Sequence, residues 1–252
     1  MRVEFITFLR REVYRFLVLY KQTIVPALIS SLLYIIVFGT TLGTRISSIN
    51  GIPYINYIIP GLAMMSVINQ AYQNSASSIM QGKYLKFIED ILVAPLSGFE
   101  ISLGYIIGGA LRGLICGLGI LFICLFLTDL KIQNFVLTIF YLLTVSWTFS
   151  AFGVIIGIYA KSWDEIGTFT NFVFMPLTFL GGVFYSIDML PPLWRNISYI
   201  NPIYWMISGL RYSTIGLEEN ANLISLFICF GFSCIFTLIA TWMFKTGYKI
   251  KS

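Results

Sequence analysis

Residues 101–127, ISLGYIIGGALRGLICGLGILFICLFL, decide the fold class of this chain. The run is apolar throughout, apart from Arg112 and a few mildly polar side chains. A transmembrane helix needs about 20 predominantly apolar residues, so this run is long enough to cross a bilayer. It therefore predicts an integral membrane protein.

The composition of the whole chain agrees with that prediction. Of its 252 residues 58% are hydrophobic and 11% are charged, whereas a soluble domain is about 45–50% apolar and about 25% charged. We predict an all-α, polytopic membrane protein, with residues 1–252 forming a single transmembrane domain. Six spans are expected, at residues 23–42, 54–75, 101–127, 135–160, 166–185 and 222–244.

The third span carries glycines at a spacing of four. The pairs are Gly104/Gly108, Gly109/Gly113 and Gly113/Gly117. Small residues at this spacing let helix backbones approach closely. We expect tight packing, either in the core of the bundle or at the seam of a dimer; the alternative is that the glycines only add flexibility.

Arg112 is the one charge predicted to lie inside a span. A charge at that depth is costly and is typically paired or functional. It is expected to form a structural ion pair or to contact an anionic group of a substrate, unless the span boundary is misplaced. The polar half of the second span, which includes Asn69, Gln70 and Asn74, should face protein or water rather than lipid.

Three segments do not fit a span. Residues 1–21 alternate apolar side chains with arginines at helical spacing, which predicts an amphipathic helix in the membrane interface; a basic flank that anchors the first span is the alternative. Residues 81–100 predict a short amphipathic helix up to Val93, ended by Pro95. Residues 188–220 are broken by prolines and Gly209, which favours short helices dipping partway into the membrane.

Positive charge indicates the orientation. With the N-terminus inside, eleven Lys and Arg face the cytoplasm and four face outward, as the positive-inside rule requires. Both termini are therefore predicted to be cytoplasmic, which agrees with an even number of spans. The net charge of +5 is clustered at segment ends, which favours the membrane surface over nucleic acid as its partner.

Motifs for catalysis are missing from the sequence. It contains no histidine and no GxxxxGK[ST] phosphate loop, so we expect no enzyme activity in this chain. The four cysteines lie in apolar runs without CxxC spacing, so no metal site is expected. Acids cluster in loops, which weighs against a self-powered secondary transporter, and a membrane-embedded enzyme or assembly factor would need a cluster of histidines and acids.

Several short motifs resemble those of the type-2 ABC transporter permeases, the membrane subunits of ABC exporters. They are EDILVAPLS at 89–97 followed by Glu100 and Gly104, PGL at 60–62, LGGVFYS at 180–186, LPP at 190–192 and NPI at 201–203. Together they extend over nearly the whole chain, and their combination is more specific than any one of them.

The resemblance implies further features. Residues 1–21 would be the N-terminal interface helix, 81–100 the cytoplasmic coupling helix between spans 2 and 3, and 188–220 a re-entrant outer hairpin between spans 5 and 6. It also implies a homodimer in the bacterial inner membrane, in contact with lipids and with a separate ABC ATPase subunit that holds ATP-Mg. This chain itself would bind no cofactor and would export a lipid, glycan or hydrophobic compound.

Two sets of residues are the candidate sites. Tyr84, Phe87 and Ile88 are expected on one side of the coupling helix, where a partner would cover them. The complete coupling set is Lys83, Tyr84, Lys86, Phe87, Ile88, Glu89, Asp90 and Pro95. A translocation path between two protomers could be lined by Phe38, Tyr57, Tyr72, Arg112, Phe179, Phe184 and Tyr185; the alternative is that the aromatic residues fill the core and the interfacial belts.

Overall fold

The computed structural model describes residues 3–217 and 222–249. The helices are α1 (Val3–Val18), α2 (Tyr20–Thr41), α3 (Tyr54–Tyr84), α4 (Ile88–Val93), α5 (Gly98–Leu127), α6 (Phe135–Tyr159), α7 (Trp163–Phe169), α8 (Met175–Leu180), α9 (Pro192–Ile200), α10 (Pro202–Ile215) and α11 (Asn222–Thr246). Arg2, Lys251 and the last residues of the predicted outer segment, 218–220, lie outside the described residues.

The predicted loop at 43–53 contains a small hairpin, which is the one β-sheet among the described residues. Strands β1 (Ser48–Ile49) and β2 (Ile52–Pro53) pair antiparallel. Asn50 and Gly51 connect them with φ angles of 51° and 80°. Two positive φ angles are what a tight type I′ turn requires, and Asn-Gly is its preferred sequence.

Four helices of the described residues are long and apolar enough to cross a membrane: α2, α5, α6 and α11 from Leu223. Their bounds agree with four of the predicted spans to within a few residues. Helix α5 begins at Gly98, before the predicted start at 101, because Ser97 and Glu100 form a capping box.

Helix α3 is the centre of the bundle and is longer and more polar than the predicted second span. It packs against α2, α5, α6 and α10 and continues to Tyr84 instead of ending near residue 75. Asn74, Ser75 and Ser78 are buried inside the protein. Polar side chains can be accommodated here because neighbouring helices, rather than lipid, surround them.

The predicted fifth span is a helix with an irregular middle. Helices α7 and α8 are joined by a π-helical turn, Thr170–Phe174, and the helix ends at Leu180 rather than at residue 185. Gly181 and Gly182 follow, and Gly182 has a φ of 77°, a conformation that favours glycine. The glycine turn therefore ends the helix within the LGGVFYS motif.

The glycines of α5 pack in the core of the bundle. A Cβ atom at Gly104 would overlap the Phe8 ring, and one at Gly108 would lie 3.0 Å from Glu12 Cβ, so α1 packs against these two glycines. Gly109 and Gly113 face α3 and α6 in the same way. The close packing is therefore confirmed, and it occurs within one chain.

Loops and short helices gather at two opposite ends of the long helices. At one end α1, α4 and the C-terminal ends of α6 and α11 come together, since Lys249 lies 3.6 Å above the Tyr159 ring and Gly98 packs on Lys245. At the other end the β-hairpin leads into α3, and Arg211 of α10 packs on Tyr57 in the first turn of α3. The two short helices predicted in 188–220 are present there, and α10 is buried against α3, α6 and α11.

Candidate functional site

Residues 85–97, between α3 and α5, form a connecting segment that contains α4. Lys83 holds its start in place: its Nζ donates hydrogen bonds to the carbonyl oxygens of Ile158 and Ala160 at the end of α6. The chain turns at Lys86, which has a φ of 61°. Helix α4 ends at Val93, two residues before Pro95, as the sequence predicts. The connecting segment is therefore tied to the ends of both α3 and α6.

The burial of the connecting segment corrects one prediction. Phe87 and Ile88 do not share an uncovered side with Tyr84, because Ile88 is buried and the Arg11 guanidinium carbon lies 4.2 Å from the centroid of the Phe87 ring. The bundle buries Ile88, and Arg11 of α1 covers part of Phe87, which is half-buried.

Tyr84 is uncovered, and two apolar side chains that the sequence did not single out, Leu85 and Val93, are uncovered as well. Tyr84 is 76% exposed, Leu85 56% and Val93 86%. The charged side chains around them, Lys86, Glu89 and Asp90, are exposed as well, and so is Pro95. This end of the protein thus presents apolar groups ringed by charge.

A network of polar side chains joins α1 to α3 next to the connecting segment. Glu12 is completely buried, and its Oε2 accepts a hydrogen bond of 2.6 Å from Ser78 of α3. Arg15 donates to both the backbone and side-chain oxygens of Asn74, at 2.8 and 3.0 Å. Burial raises the pKa of the Glu12 carboxyl above its ordinary value, although Arg15, Ser78 and Arg11 act in the opposite direction.

Arg112 lies at the wall of a cavity lined by both polar and apolar residues. The guanidinium is 8% exposed and its Nη2 donates to Gln70 Oε1. The cavity measures about 310 Å³ and lies between α2, α3 and α5. Within residues 3–217 and 222–249 no carboxylate lies within 4.0 Å of Arg112, so the predicted ion pair does not form there, whereas the predicted position inside the helix is correct.

Four of the predicted path residues lie together. The rings of Phe38 and Phe184 are 4.8 Å apart and those of Phe179 and Phe184 5.7 Å apart. Tyr185 donates a hydrogen bond to the Phe179 carbonyl. Tyr34 continues the row along α2, at 6.0 Å from Phe38. We call Tyr34, Phe38, Phe179 and Phe184 the aromatic row.

The remaining two aromatic candidates are not at this surface. Tyr57 is fully buried, with the Arg211 guanidinium 3.9 Å from its ring. Tyr72 is fully buried too and donates to the Ile166 carbonyl at 3.0 Å. Both rings are enclosed within one chain here and lie apart from the surface that carries the other four, so their place on a translocation path stays a prediction.

Two buried charged residues that join helices, Arg211 and Glu12, were not singled out from the sequence. Arg211, which lies in the predicted outer segment 188–220, is buried and also donates to the Gly182 carbonyl at 2.8 Å, so it joins α10 to the glycine turn. Glu12 had a signal: it lies four residues from both Phe8 and Phe16, on the apolar face of α1. An acid at such a position is expected to have a buried partner.

The ABC-2 type transporter family model matches residues 3–215. The chain is 39% identical, over 242 residues, to the inner membrane transport permease YadH of Escherichia coli (strain K12), covering 96% of this chain and 94% of that protein. It is 22% identical, over 222 residues, to nodulation protein J of Rhizobium leguminosarum bv. viciae, covering 86% and 83%. With nodulation protein J of Rhizobium meliloti (strain 1021) the identity is 21% over 198 residues, 77% of this chain and 74% of that one.

Proposed function

Because the chain belongs to the ABC-2 type transporter family and is a membrane-embedded transport permease, we propose that it is the membrane subunit of an ATP-driven exporter. It moves a lipid, a glycan or a hydrophobic compound out of the cytoplasm or the inner leaflet. ATP-Mg binds to a separate ABC ATPase subunit, since this sequence has no phosphate loop.

The distribution of acids supports an external energy source. A self-powered carrier typically needs a titratable group inside the membrane. In the part of the chain that the structure describes, the acids of α5 and α7 lie in the first turn of each helix: Glu100, Asp164 and Glu165. This distribution does not favour the alternative of a secondary transporter.

The proposed topology has six spans with both termini in the cytoplasm. Helices α2, α3, α5, α6, the α7–α8 helix and α11 are the spans, and α9 and α10 are the re-entrant pair on the outer side. With 31 residues, α3 extends about 46 Å at 1.5 Å per residue, so length does not prevent it from crossing. The end where α1 and α4 meet is the cytoplasmic one, in agreement with its basic residues.

The connecting segment is proposed as the contact for the ATPase. The single observation that carries this role is the exposure of Tyr84, Leu85 and Val93 at the end of the bundle where α1 also lies. Apolar groups ringed by charge suit a protein partner. Lys83 and its bonds to the end of α6 would pass a displacement of the segment to the long helices.

A second copy of the chain and surrounding lipid are the other proposed partners. Helix α2 contributes a row of exposed apolar side chains, among them Leu33 and Val37, and the aromatic row runs beside it. A homodimer through this face would place two aromatic rows opposite one another. Phe38, Phe179, Phe184 and Tyr185 would then border the translocation path, with Arg112 deeper in the membrane.

Reconstitution tests the function. The chain is placed in proteoliposomes with candidate ATPase subunits that carry the GxxxxGK[ST] motif, and ATP hydrolysis is measured with and without the permease. We expect one subunit to bind the membrane and to hydrolyse ATP faster in the presence of the permease. If no candidate subunit binds or is stimulated, and purified permease alone moves solutes along an ion gradient, the proposal is refuted.

A further inference from the structure

The cavity beside Arg112 has the chemistry of a binding site. Arg112 lies near the middle of the 30-residue helix α5, so its charge is about 20 Å from either end at 1.5 Å per residue. A guanidinium has five N–H donors, and the hydrogen bond to Gln70 uses one of them. Arg112 Nε is buried and has no hydrogen-bond partner within the described residues. The positive charge is therefore not neutralised by the part of the chain that the structure describes.

Apolar residues of α2 and α3 line part of the cavity, and the rest of its walls supply polar groups of matching type. Ser30 and Ser31 face it from α2, and Ser66, Asn69 and Gln70 face it from α3. Hydroxyl and amide groups can donate to an anion, and none of these side chains carries a negative charge that would compete with it. Its volume of about 310 Å³ is at the small end of ligand pockets, which suits a headgroup rather than a whole amphiphile.

The position of the cavity indicates what kind of molecule reaches it. Its lining begins at Gln22 and Thr23, where α1 passes into α2, and extends along α2 as far as Tyr34. That stretch is about 18 Å long at 1.5 Å per residue. It connects the basic end of the bundle with Arg112 and with Tyr34, the first ring of the aromatic row. The polar headgroup of an amphiphile could move along this stretch while the apolar tail of the same molecule stays in the lipid.

We propose that the Arg112 cavity binds a phosphate-type oxyanion, carried into the membrane as the headgroup of an anionic amphiphile. Resting on the proposed transport function, this assigns the substrate to an anionic lipid or lipid-linked class. Arg112 supplies the charge, and the serine and amide side chains supply further hydrogen bonds. In the absence of such a ligand, water would solvate the guanidinium in the same cavity.

A binding experiment tests the assignment without any ATPase, so its result is independent of the transport assay. The purified chain in detergent micelles is titrated with phosphatidylglycerol, with phosphatidylcholine and with inorganic phosphate. Bound lipid is counted by native mass spectrometry, and stabilisation is followed by the rise in Tm that a ligand of the folded state produces. The variants are Arg112→Gln, the control Arg45→Gln in the exposed loop after α2, and Ser30→Leu, which narrows the cavity but keeps the charge.

We expect wild type and Arg45→Gln to prefer phosphatidylglycerol over phosphatidylcholine, and Arg112→Gln to bind it about tenfold more weakly, which is about 1.4 kcal/mol. Ser30→Leu should also weaken binding, and it decides the question if Arg112→Gln does not fold. Competition by inorganic phosphate would mean that any oxyanion is accepted; without competition, the site takes only the lipid headgroup. Equal binding of both lipids by wild type, or unchanged binding by Arg112→Gln and Ser30→Leu, would overturn the proposal.

Discussion

The Ser78 hydroxyl of α3 donates a 2.6 Å hydrogen bond to the carboxylate of Glu12 on α1, and the whole Glu12 side chain is buried. This bond ties a helix that composition alone would leave on the membrane surface to the central helix of the bundle. Arg11 of α1 also packs on Phe87 of the connecting segment. A movement of the segment would therefore displace α1, and the bond between Glu12 and Ser78 would pass that displacement to α3.

The buried carboxyl of Glu12 predicts a pH effect on stability. Its pKa in the folded state is raised above the ordinary value of 4.5, chiefly by burial. The folded state therefore binds more protons than the unfolded state between those two values, so stability falls as pH rises through that window. Glu12→Gln keeps a hydrogen-bonding side chain but has no charge to bury. We expect the Tm of wild type to decline relative to that of Glu12→Gln as pH rises above about 4.5.

Thermal unfolding in detergent across this pH range checks the expectation. Glu4→Gln is the matched control, since Glu4 is exposed on the same helix, and its Tm should follow that of wild type. Parallel Tm curves for wild type and Glu12→Gln would contradict a raised pKa at Glu12.

Close contact between α3 and α6 predicts that Gly153 cannot be enlarged. A Cβ atom there would lie 2.5 Å from the carbonyl oxygen of Tyr72, which is backbone and cannot move aside by rotating. Gly153→Ala should lower the free energy of unfolding by about 1–3 kcal/mol. Gly231→Ala in α11, where an added Cβ would meet no packing neighbour within 4 Å, should be neutral or stabilising by up to about 1 kcal/mol. Denaturant titration measures the free energy of unfolding of both variants. Equal values for Gly153→Ala and Gly231→Ala would contradict the close packing at Gly153.

The anchoring of the connecting segment by Lys83 predicts a loss of stability on removing its ammonium group. Lys83→Met leaves the carbonyls of Ile158 and Ala160 without their donor, which should cost about 1–3 kcal/mol. Lys161→Met removes a charge from the neighbouring exposed loop and should change little. Limited proteolysis should also cut the connecting segment faster in Lys83→Met; equal cleavage in both variants would show that Lys83 is not an anchor.

Exposure of Val93 predicts a selective effect on ATPase binding. Val93→Asp places a charge where the proposed contact needs an apolar group, while the 86% exposure of Val93 leaves the fold of the permease undisturbed. We expect about a tenfold loss of affinity for the ATPase, about 1.4 kcal/mol, with the Tm unchanged. Met189→Asp, an exposed residue at the opposite end, is the control. Pull-down and stimulated ATP hydrolysis are the readouts, and equal loss in both variants would argue against this contact.

The amino-acid sequence by itself determined the membrane class, the apolar helices α2, α5, α6 and α11, the short helix that ends before Pro95, and the position of Arg112 within a helix. These features follow from local properties: the length of an apolar run, the spacing of apolar side chains and the restrictions that proline imposes. The family motifs, such as EDILVAPLS at 89–97, are equally local.

Only the tertiary structure decided which side chains face one another. Hydropathy treats each residue as if lipid surrounded it, so it could not show that α3 is the buried centre, with Asn74 and Ser78 partnered by α1. Tyr57 and Phe184 are both aromatic in the sequence, yet one packs on Arg211 inside the chain and the other lies in the aromatic row. That difference depends on helices distant in sequence, because packing joins residues that no local pattern relates.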